Sequence, residues 1–434
     1  MSPPEPLGVI GVGYVGLVTA VCFAKLGHRV VCVDVDRAKL ERLRRGEVPI
    51  YEPGTAEAMA ECGDRIRFTD DPVELFAHAQ IAFVCVDTPP SPSGDADLSR
   101  VEAVIAALPE SADGAVLAMK STVPVGTGLR LRHVLDARGL SGVAYVSNPE
   151  FLREGSAIAD FLHPDRVIVG SDDPVAAERV AALYRPVTDA VLQSDVASAE
   201  MIKLASNAFL ATKISFINEI ANVCEEVGAQ IDIVAEGMGL DQRIGKSFLR
   251  AGIGYGGSCF PKDVTALKQL AGNSGYHFQL LSAVIEVNEL QKRRTVSKLA
   301  RHLGSLRNRR IALWGLAFKP DTDDMREASS IVLAARLIAE GAEVVAYDPI
   351  VTAEQAARSL PRGVQMASSA LSAADGADAV VIVTEWPELV APVLDGRLAA
   401  VVARPLIIDG RNLLDPAAVR AAGFAYEGIG RGLV

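Results

Sequence analysis

The stretch Leu7-Gly8-Val9-Ile10-Gly11-Val12-Gly13-Tyr14-Val15-Gly16 decides the fold of the first part of this chain. Its first four residues are apolar or small and predict a buried strand, and a GxGxxG pattern follows directly. An apolar helical pattern then runs to about Leu26, and a second strand, Arg29 to Val33, ends at Asp34. A strand, a glycine-rich turn, a helix and a second strand in this order predict a parallel βαβ unit.

Each glycine of the motif has a separate physical task. Gly11 allows a tight turn, Gly13 allows the backbone to approach a pyrophosphate, and Gly16 allows the helix to pack closely on the strand. Asp34 is expected to accept hydrogen bonds from a ribose 2′-OH, and its charge would repel a 2′-phosphate. The motif therefore predicts a dinucleotide site that prefers NAD to NADP, although nearby basic residues such as Lys39 weaken that preference.

Further short apolar strands follow at the spacing of an open parallel sheet: Ile81 to Val86, Ala115 to Met119, Val143 to Val146 and Val167 to Val169. Polar loops follow three of them, at residues 87–89, 121–124 and 147–150. Ligands bind beyond the C-terminal ends of strands in such sheets, so these loops are expected to converge on the cofactor. Their residue types also favour turns for purely local reasons.

A long helical pattern runs from Ala197 to about Val227 and is typical of a connection between domains or of a subunit interface. Lys203 and Asn207 lie four residues apart and share one face of this helix. Their spacing alone favours two solvated surface side chains.

A second α/β unit begins at Ile311 to Gly315 and continues through a helix at about 329–340 and strands at 343–347, 379–383 and 406–408. It lacks a GxGxxG motif, so a different ligand is expected there. Lys319 and Arg411 follow strands of this unit, where a phosphate or a sugar would be held. A structural role fits their positions equally well.

The segment from Ala251 to Asp263 has four glycines within six positions, which implies a close approach of its backbone to other groups. Cys259 would lie at the start of the helix that follows, with Lys262 nearby, and both features stabilise a thiolate. Such a cysteine beside a nicotinamide cofactor suggests oxidation beyond the alcohol level, through a thiohemiacetal and a thioester. The sequence pattern favours buried thiols for the cysteines at positions 22, 32, 85 and 224, and an incidental loop thiol for Cys62.

The chain has 434 residues, of which 50% are hydrophobic and 22% are charged. This composition excludes disordered, collagen-like and small disulfide-stapled proteins, and the length predicts two or three domains. A net charge of −11 argues against nucleic-acid binding as the main function. No CxxC pair suggests a metal site, and neither a leader peptide nor a membrane span is apparent. We therefore expect a cytoplasmic protein with no nucleic-acid, membrane or metal partner.

Together these motifs resemble the UDP-glucose/GDP-mannose dehydrogenase family of nucleotide-sugar 6-dehydrogenases. Besides Gly11–Gly16 with Asp34, the resemblance depends on segments at 121–124, 148–154, 203–207, 241–245, 256–263, 318–319 and 326–327. It implies an α/β fold with two doubly wound Rossmann-like domains joined by a long-helix middle domain. The implied domains are 1–193 for NAD binding, 194–300 for helical dimerisation and 301–434 for nucleotide-sugar binding.

The resemblance also implies a four-electron oxidation of the sugar C6 alcohol to a carboxylate, with two NAD+ and one water. Cys259 would be the nucleophile, and Lys203 would stabilise negative charge on the reacting oxygen, to which Asn207 would donate a hydrogen bond. Asp263 would position or deprotonate a water, and Glu150 would act as the base for thioester hydrolysis. Donors aimed at a developing oxyanion are often the largest contribution to catalysis.

Binding residues are also implied by the resemblance. For the cofactor they are Gly11, Gly13, Tyr14, Val15, Gly16, Asp34, Lys39, Thr88, Thr122, Glu154, Lys262 and Arg326, with Thr122 also supporting the hydrolytic water. For the sugar nucleotide they are Glu150, Phe151, Leu152, Glu154, Lys203, Asn207, Arg250, Tyr255, Gly256, Phe318, Lys319 and Arg411. Arg243 would reach the site of a neighbouring subunit, which requires at least a homodimer. Tyr255 stands where many relatives have Phe.

The stretch from Lys203 to Leu210 looks more like the UDP-glucose branch of the family than like the enzymes that act on GDP-mannose or a UDP-N-acetylhexosamine. The base of dTDP-glucose differs from that of UDP-glucose by one methyl group. A pocket distinguishes two such substrates by only about 1–3 kcal/mol of binding free energy, which a sequence does not reveal. A non-catalytic sensor of NAD or a nucleotide sugar would share the fold. Such a sensor has no need of both a nucleophile and a hydrolytic base.

Overall fold

The computed structural model describes residues 4–431. The chain divides into two compact units. Unit 1 extends through Ser206 and includes Gln269–Gly275, and unit 2 comprises Asn207–Lys268 and the chain from Tyr276 onward.

Unit 1 is built on a sheet of eight strands with the order β3-β2-β1-β4-β5-β6-β7-β8. The strands are β1 Leu7–Ile10, β2 Val30–Val33, β3 Ile66–Thr69, β4 Ile81–Val84, β5 Val116–Met119, β6 Ala144–Ser147, β7 Val167–Gly170 and β8 Val191–Ser194. The helices of this unit are α1 Tyr14–Lys25, α2 Arg37–Arg44, α3 Thr55–Cys62, α4 Pro72–His78, α5 Ser99–Ala107, α6 Thr127–Ala137, α7 Ala157–Leu162 and α8 Pro174–Tyr184. Two 3-10 turns lie at Gly63–Arg65 and Glu110–Ala112. The order of the first six strands is that of a doubly wound dinucleotide-binding sheet.

The central strands of unit 1 are buried on both faces. Side chains of Leu7, Val9 and Phe83 enter one hydrophobic core, and those of Ile10 and Val84 enter a second core. Strand side chains alternate between the faces of a sheet, so a strand covered by helices on both sides needs a continuous apolar run. This requirement is the reason why short apolar runs predicted these strands correctly to within two residues.

The last two strands of the sheet depart from the expected parallel arrangement. β7 pairs with β6 in the antiparallel direction, through Ser147 and Gly170, and β8 runs parallel to β7. Residues 148–166 contain only the six-residue helix α7, and the chain returns from the same end of the sheet at which β6 finishes. The expectation of an all-parallel sheet was therefore wrong at this edge.

Between Ser194 and Arg310 the described chain contains helices and no strand. These helices are α9 Val196–Val227, α10 Ile231–Gly239, α11 Phe260–Asn273 and α12 Gln279–Leu303. The helix expected from Ala197 to Val227 is confirmed as a single element of 32 residues. Among residues 4–431, none of the helices combines the length and apolarity that a bilayer crossing needs.

Unit 2 contains a sheet of six strands that repeats the strand order of the first, β11-β10-β9-β12-β13-β14, with all pairs parallel. The strands are β9 Arg310–Trp314, β10 Glu343–Tyr347, β11 Gln365–Met366, β12 Ala379–Ile382, β13 Leu406–Asp409 and β14 Ala425–Glu427. The helices are α13 Ser329–Ala339, α14 Ala353–Ser359, α15 Ala370–Ala374, α16 Val390–Leu394 and α17 Pro416–Ala421, with a 3-10 turn at Pro387–Leu389. The predicted fold class, with two Rossmann-like sheets and a helical stretch between them in the chain, is confirmed.

Candidate functional site

The glycine-rich turn of unit 1 has the geometry that a dinucleotide requires. Gly11 has a φ of +91°, a backbone conformation that residues other than glycine rarely adopt. A Cβ on Gly16 would lie 1.8 Å from the carbonyl oxygen of Gly11. A Cβ on Gly13 would have only Asp87 Oδ1 within 4 Å among the described residues, at 3.7 Å. The turn is thus closed toward the strand and open at Gly13, where a pyrophosphate would lie at the start of α1.

Asp34 directly follows β2 and contacts this turn. Its carboxylate accepts hydrogen bonds from the backbone N–H of Val12 at 2.8 Å and of Asp36 at 2.9 Å, and it pairs with Lys39 Nζ at 2.9 Å. Burial acts to raise the pKa of Asp34, but these hydrogen bonds and the Lys39 charge lower it on balance. Asp34 is therefore an anion fixed beside the turn, and Lys39 is already paired with that anion. Both features favour a free ribose hydroxyl over a 2′-phosphate.

The loops after β4 and β5 meet, as the topology predicts. Thr88 is buried and donates a hydrogen bond from its hydroxyl to the carbonyl of Thr122 at 2.7 Å. Ser121 donates to the carbonyl of Val86 at 2.6 Å. Thr122 is thereby held at the C-terminal edge of the sheet, where ligands bind in this fold.

Glu150 and Lys203 form a buried ion pair within unit 1. Glu150 Oε1 lies 3.0 Å from Lys203 Nζ, and the side chains are 7% and 4% exposed. Glu150 also accepts a hydrogen bond from the N–H of Leu152 at 2.6 Å. Burial acts to raise the pKa of Glu150, but the charge and hydrogen bond of Lys203, the N–H of Leu152 and the charge of Lys120 together lower it. Glu150 is consequently a fixed carboxylate that stays ionised at neutral pH, which is the form a general base needs.

The Phe151 ring lies close to two cations. Lys203 Nζ is 5.3 Å from the ring centroid, and the Arg166 guanidinium is 3.6 Å from it. Cation–π attraction holds the ring against Lys203 and so restricts the segment that carries Glu150.

Asn207 and Asp263 form a buried hydrogen bond within unit 2. Asn207 Nδ2 donates to Asp263 Oδ2 at 2.6 Å, and Lys262 Nζ lies 2.6 Å from Asp263 Oδ1. Asn207 and Lys203 are both buried, so the interpretation of these two residues as solvated surface side chains was wrong. Helical spacing gave no sign of this burial because the partners come from distant parts of the chain.

Cys259 directly precedes the first residue of α11, as predicted. Its carbonyl accepts a hydrogen bond from the N–H of Asp263 at 2.8 Å, and Ser258 Oγ lies 3.5 Å from its Sγ. Cys259 is partly exposed, whereas the other five cysteines are buried. Among those five, Cys62 was wrongly expected in a loop. It is the last residue of α3, and its thiol points to the carbonyl of Val21 in the core.

The glycines before Cys259 pack against other parts of unit 2. A Cβ at Gly254 would lie 2.7 Å from Asn288 Oδ1, and a Cβ at Gly257 would lie 2.8 Å from the Phe318 ring. Asn288 also accepts a hydrogen bond from the N–H of Tyr255 at 2.8 Å and donates to its carbonyl at 3.1 Å. The backbone around Cys259 is therefore fixed by α12 and by the loop after β9. Burial raises the pKa of Tyr255, so its phenol is neutral.

Arg411 connects three backbone segments of unit 2. Its guanidinium donates hydrogen bonds to the carbonyls of Val383 at 2.8 Å, Gly254 at 3.0 Å and Phe318 at 3.0 Å. Burial lowers the pKa of Arg411, the carboxylate of Glu385 at 3.5 Å opposes that shift, and the charge of Arg250 adds to it. A polyphosphate would be attracted to the charges of both arginines.

Three further candidates, Arg243, Arg326 and Lys319, are exposed or partly exposed. Arg243 is exposed and pairs with Asp241 at 2.6 Å, and Arg326 pairs with Asp324 at 2.8 Å. Lys319 Nζ lies 5.7 Å from the Phe318 ring centroid.

Asp348 shows why the second sheet differs from the first. Like Asp34, it follows the second strand of its sheet, but it accepts hydrogen bonds from the N–H groups of Leu316, Ala317, Ile350 and Val351 and from Trp386 Nε1. With five donors around one carboxylate, little acceptor capacity remains for a ribose. The expectation of a different ligand in unit 2 agrees with this geometry.

Sequence reasoning missed several residues that support these groups. Lys120 is buried, donates to Tyr184 Oη at 3.0 Å, and its charge contributes to the low pKa of Glu150. Its position at the end of a fully apolar strand, directly before Ser121, was an available signal. Asn288 offered no such signal, because it lies within an ordinary amphipathic helix.

Three family models match successive parts of the chain. The NAD binding domain of the UDP-glucose/GDP-mannose dehydrogenase family matches residues 6–188, its central domain matches residues 197–290, and its UDP binding domain matches residues 312–416. The predictions of an NAD cofactor and of a dehydrogenase are confirmed by these matches.

Individual relatives agree with the family models. The chain is 46% identical over 432 residues to the UDP-glucose 6-dehydrogenase TuaD of Bacillus subtilis, covering 98% of this chain and 93% of the relative. It is 47% identical over 442 residues to the UDP-glucose 6-dehydrogenase of Pseudomonas aeruginosa, covering 98% and 97%. A solved structure of a UDP-glucose dehydrogenase from Pyrobaculum islandicum is similar with a TM-score of 0.90 and 39% identity, covering 98% of each chain. This chain therefore belongs to the UDP-glucose/GDP-mannose dehydrogenase family.

Proposed function

We propose that this protein oxidises the C6 alcohol of UDP-glucose to the carboxylate of UDP-glucuronate, with two NAD+ and one water per turnover. The observation that carries the proposal is the placement of Cys259 at the start of α11, partly exposed and followed in the first helical turn by Lys262. A helix N-terminus and a nearby ammonium group favour a thiolate. The names of the relatives support UDP-glucose as the substrate.

The cofactor would be held by residues of the glycine-rich turn, with Asp34 accepting hydrogen bonds from its ribose. When bound, NAD+ accepts a hydride in each of the two oxidation steps. The open space at Gly13 fits the pyrophosphate. The further cofactor contacts that we propose are Lys39, Thr88, Thr122, Glu154, Lys262 and Arg326.

In the first oxidation C6 loses a hydride and its hydroxyl loses a proton, which gives an aldehyde. The Cys259 thiolate then adds to the aldehyde carbon, and the negative charge moves to oxygen as a thiohemiacetal forms. Lys203 would stabilise that charge, and Asn207 would donate a hydrogen bond to the same oxygen. Loss of a second hydride from C6 of this oxyanion leaves a thioester on Cys259.

Hydrolysis of the thioester returns the thiolate and releases the carboxylate. Glu150 is ionised because Lys203 lowers its pKa, so it would take the proton of the attacking water. Asp263 would position that water or accept its proton, and Thr122 would support the water through hydrogen bonding.

The nucleotide sugar would bind to side chains of unit 2, several of which lie within residues 312–416, the range that the UDP binding domain model matches. The charges of Arg250 and Arg411, which influence each other, suit a diphosphate. We assign the sugar and the base to Phe151, Leu152, Tyr255, Gly256, Phe318 and Lys319, with further contacts from Glu150, Glu154, Lys203 and Asn207.

We also propose the three functional domains 1–193, 194–300 and 301–434, a cytoplasmic location, and a homo-oligomer in which Arg243 serves a neighbouring subunit. Exposed Phe209, Phe216 and Val223 support the oligomer, because a spacing of seven residues places them along one side of α9. An apolar stripe of this kind is typical of a protein interface.

NADH production with UDP-glucose, dTDP-glucose, GDP-mannose and UDP-N-acetylglucosamine tests the substrate. We expect two NADH for each UDP-glucose consumed. Two NADH with another of these sugars would assign that substrate instead. Binding of NAD+ and nucleotide sugar without turnover of any of them would favour the sensor.

Cys259→Ser tests the mechanism. The variant should bind NAD+ and UDP-glucose normally and should form no UDP-glucuronate, because an alcohol is a far weaker nucleophile than a thiolate. Cys224→Ala, which removes a buried thiol from α9, is the matched control and should retain turnover. Carboxylate production by the Cys259→Ser variant would exclude the thioester route.

A further inference from the structure

Glu52 is a buried carboxylate that no role above uses. It is 6% exposed and lies between α2 and α3. Its Oε2 accepts hydrogen bonds from Tyr14 Oη at 2.5 Å and from the N–H of Gly155 at 2.6 Å, and its Oε1 accepts one from the N–H of Ala157 at 2.8 Å. One side chain thus joins positions that are 38, 103 and 105 residues away in the chain.

The donors belong to two segments with proposed roles. Tyr14 is the first residue of α1 and lies inside the glycine-rich motif. Gly155 and Ala157 lie just after residues 150–154, which include Glu150 and Glu154 and are hereafter called the acidic segment 150–154. Ala157 is the first residue of α7. Ser156, the residue before α7, makes no capping hydrogen bond with its side chain, so Glu52 satisfies these backbone donors in its place.

A carboxylate suits this position because of its acceptor capacity. Its two oxygens can receive three donors, whereas a glutamine amide offers one acceptor oxygen and turns an NH2 group toward an N–H. Burying an ionised group costs several kcal/mol unless hydrogen bonds compensate for its lost hydration. Burial and the nearby charges of Glu52, Glu154 and Glu150 raise the pKa of Tyr14, so its phenol remains a donor.

We propose that Glu52 is a positioning residue that holds the acidic segment 150–154 in a fixed place relative to the glycine-rich turn. It acts through the Tyr14 hydroxyl and through two backbone N–H groups. The catalytic part of this inference depends on the proposed function. The part that concerns NAD+ binding depends only on the family's NAD binding domain.

Glu52→Gln is the main test, with NAD+ affinity measured by titration in the absence of a sugar nucleotide. We expect affinity to fall about tenfold, the effect of leaving one buried donor without its acceptor. Hydrogen exchange, followed by mass spectrometry on peptides covering residues 150–160, should become faster in this variant. Glu61→Gln is the matched control, because Glu61 is an exposed carboxylate on the adjoining helix α3. It should change neither measurement.

Tyr14→Phe separates positioning from folding. It keeps both backbone hydrogen bonds of Glu52 and removes only the phenol oxygen, so the thermal midpoint should hardly change while NAD+ affinity falls. If Glu52→Gln accelerates exchange at 150–160 but binds NAD+ like the wild type, Glu52 only caps α7 and the proposal is wrong. If Glu52→Gln does not fold, unchanged NAD+ affinity in Tyr14→Phe overturns the proposal.

A kinetic measurement extends the test. In an active enzyme, Glu52→Gln should raise KM for NAD+. It should also raise KM for UDP-glucose, because the acidic segment 150–154 carries proposed sugar contacts. An unchanged KM for NAD+ would contradict a positioning role at the cofactor turn. Absence of turnover in the wild type would refute the proposed function and leave the NAD+ titration and the exchange measurement valid.

Discussion

Lys203→Met should make stability fall more steeply than in the wild type as pH rises from 5 to 8. In the wild type, Lys203 lowers the pKa of Glu150 below its usual value of 4.5. A group whose pKa is lower in the folded state adds stability above its unfolded pKa, and this stability is lost as pH falls through the folded pKa. In the wild type, the contribution of the Glu150–Lys203 pair to the free energy of unfolding should therefore stay constant between pH 8 and pH 5.

In Lys203→Met the buried carboxylate lacks its principal counter-ion, and burial then raises the pKa of Glu150. The Leu152 N–H and the charge of Lys120 remain and limit the rise. A carboxyl group with a raised folded pKa loses stability as pH increases from its unfolded pKa to its folded pKa. The variant should therefore become more stable on acidification from pH 8 toward pH 5, with a slope of up to about 1.4 kcal/mol per pH unit.

The size of the effect follows from the geometry. At 3.0 Å, two charges in an effective dielectric constant of about 20 attract each other by about 5 kcal/mol. Removal of one partner of a buried ion pair costs about 3–5 kcal/mol. Because Glu150 keeps its hydrogen bond to Leu152 and can take up a proton, we expect a loss of about 3 kcal/mol at pH 7. The double variant Lys203→Met with Glu150→Gln should lose less than the sum of the two single variants.

Urea unfolding followed by far-UV circular dichroism at several pH values is the suitable assay. Both tryptophans, Trp314 and Trp386, lie in unit 2, so their fluorescence does not report directly on this pair in unit 1. Lys292→Met is the matched control, because Lys292 is equally buried but its partner Glu289 is 43% exposed and remains hydrated. Parallel stability curves for Lys203→Met and the wild type between pH 5 and pH 8 would refute the reasoning.

Three further results are expected. Gly16→Ala should weaken NAD+ binding and lower the urea midpoint, because its Cβ would lie 1.8 Å from the carbonyl oxygen of Gly11. Gly237→Ala is the control, because no described atom other than its chain neighbours and the helix backbone lies within 4 Å of a Cβ at this position on α10. It should be neutral or stabilising by about 0.5–1 kcal/mol. Burial raises the pKa of Glu200 to about 7, so the stability of the wild type should fall as pH rises from 5 to 7. Glu200→Gln should remove this dependence, and a variant whose stability falls with pH as steeply as that of the wild type would contradict the prediction. Arg411→Lys should lower the urea midpoint measured by tryptophan fluorescence, because one ammonium group cannot reproduce three hydrogen bonds to separate carbonyls; an unchanged midpoint would show that these bonds contribute little.

Local sequence determined most of the fold because parallel strands covered on both faces need continuous apolar runs. The strands from Leu7 to Ile10 and from Glu343 to Tyr347 lie where they were predicted. Helical periodicity likewise defined α9 to within one residue. The direction of β7 could not be predicted in this way, because a parallel and an antiparallel strand can have the same apolar composition.

The residues of the candidate site likewise fall into those that local sequence predicts and those that it does not. The glycine-rich turn, Asp34 and the start of α11 at Phe260 could be predicted because each is a local pattern with a local geometric cause. Burial of Asn207 could not be predicted, because it depends on Asp263, 56 residues away. The same holds for Arg411, whose acceptor at Gly254 is 157 residues away.

The sequence by itself determined which residue types are available and where the chain turns, because backbone preferences and side-chain periodicity act over a few residues. Only the tertiary structure decided which charges are paired and which donors are satisfied. Lys203 meets Glu150, and Glu52 receives Tyr14, only after distant strands have assembled into one sheet. A buried charge has no stable place without such partners, so its role depends on contacts that no local pattern contains.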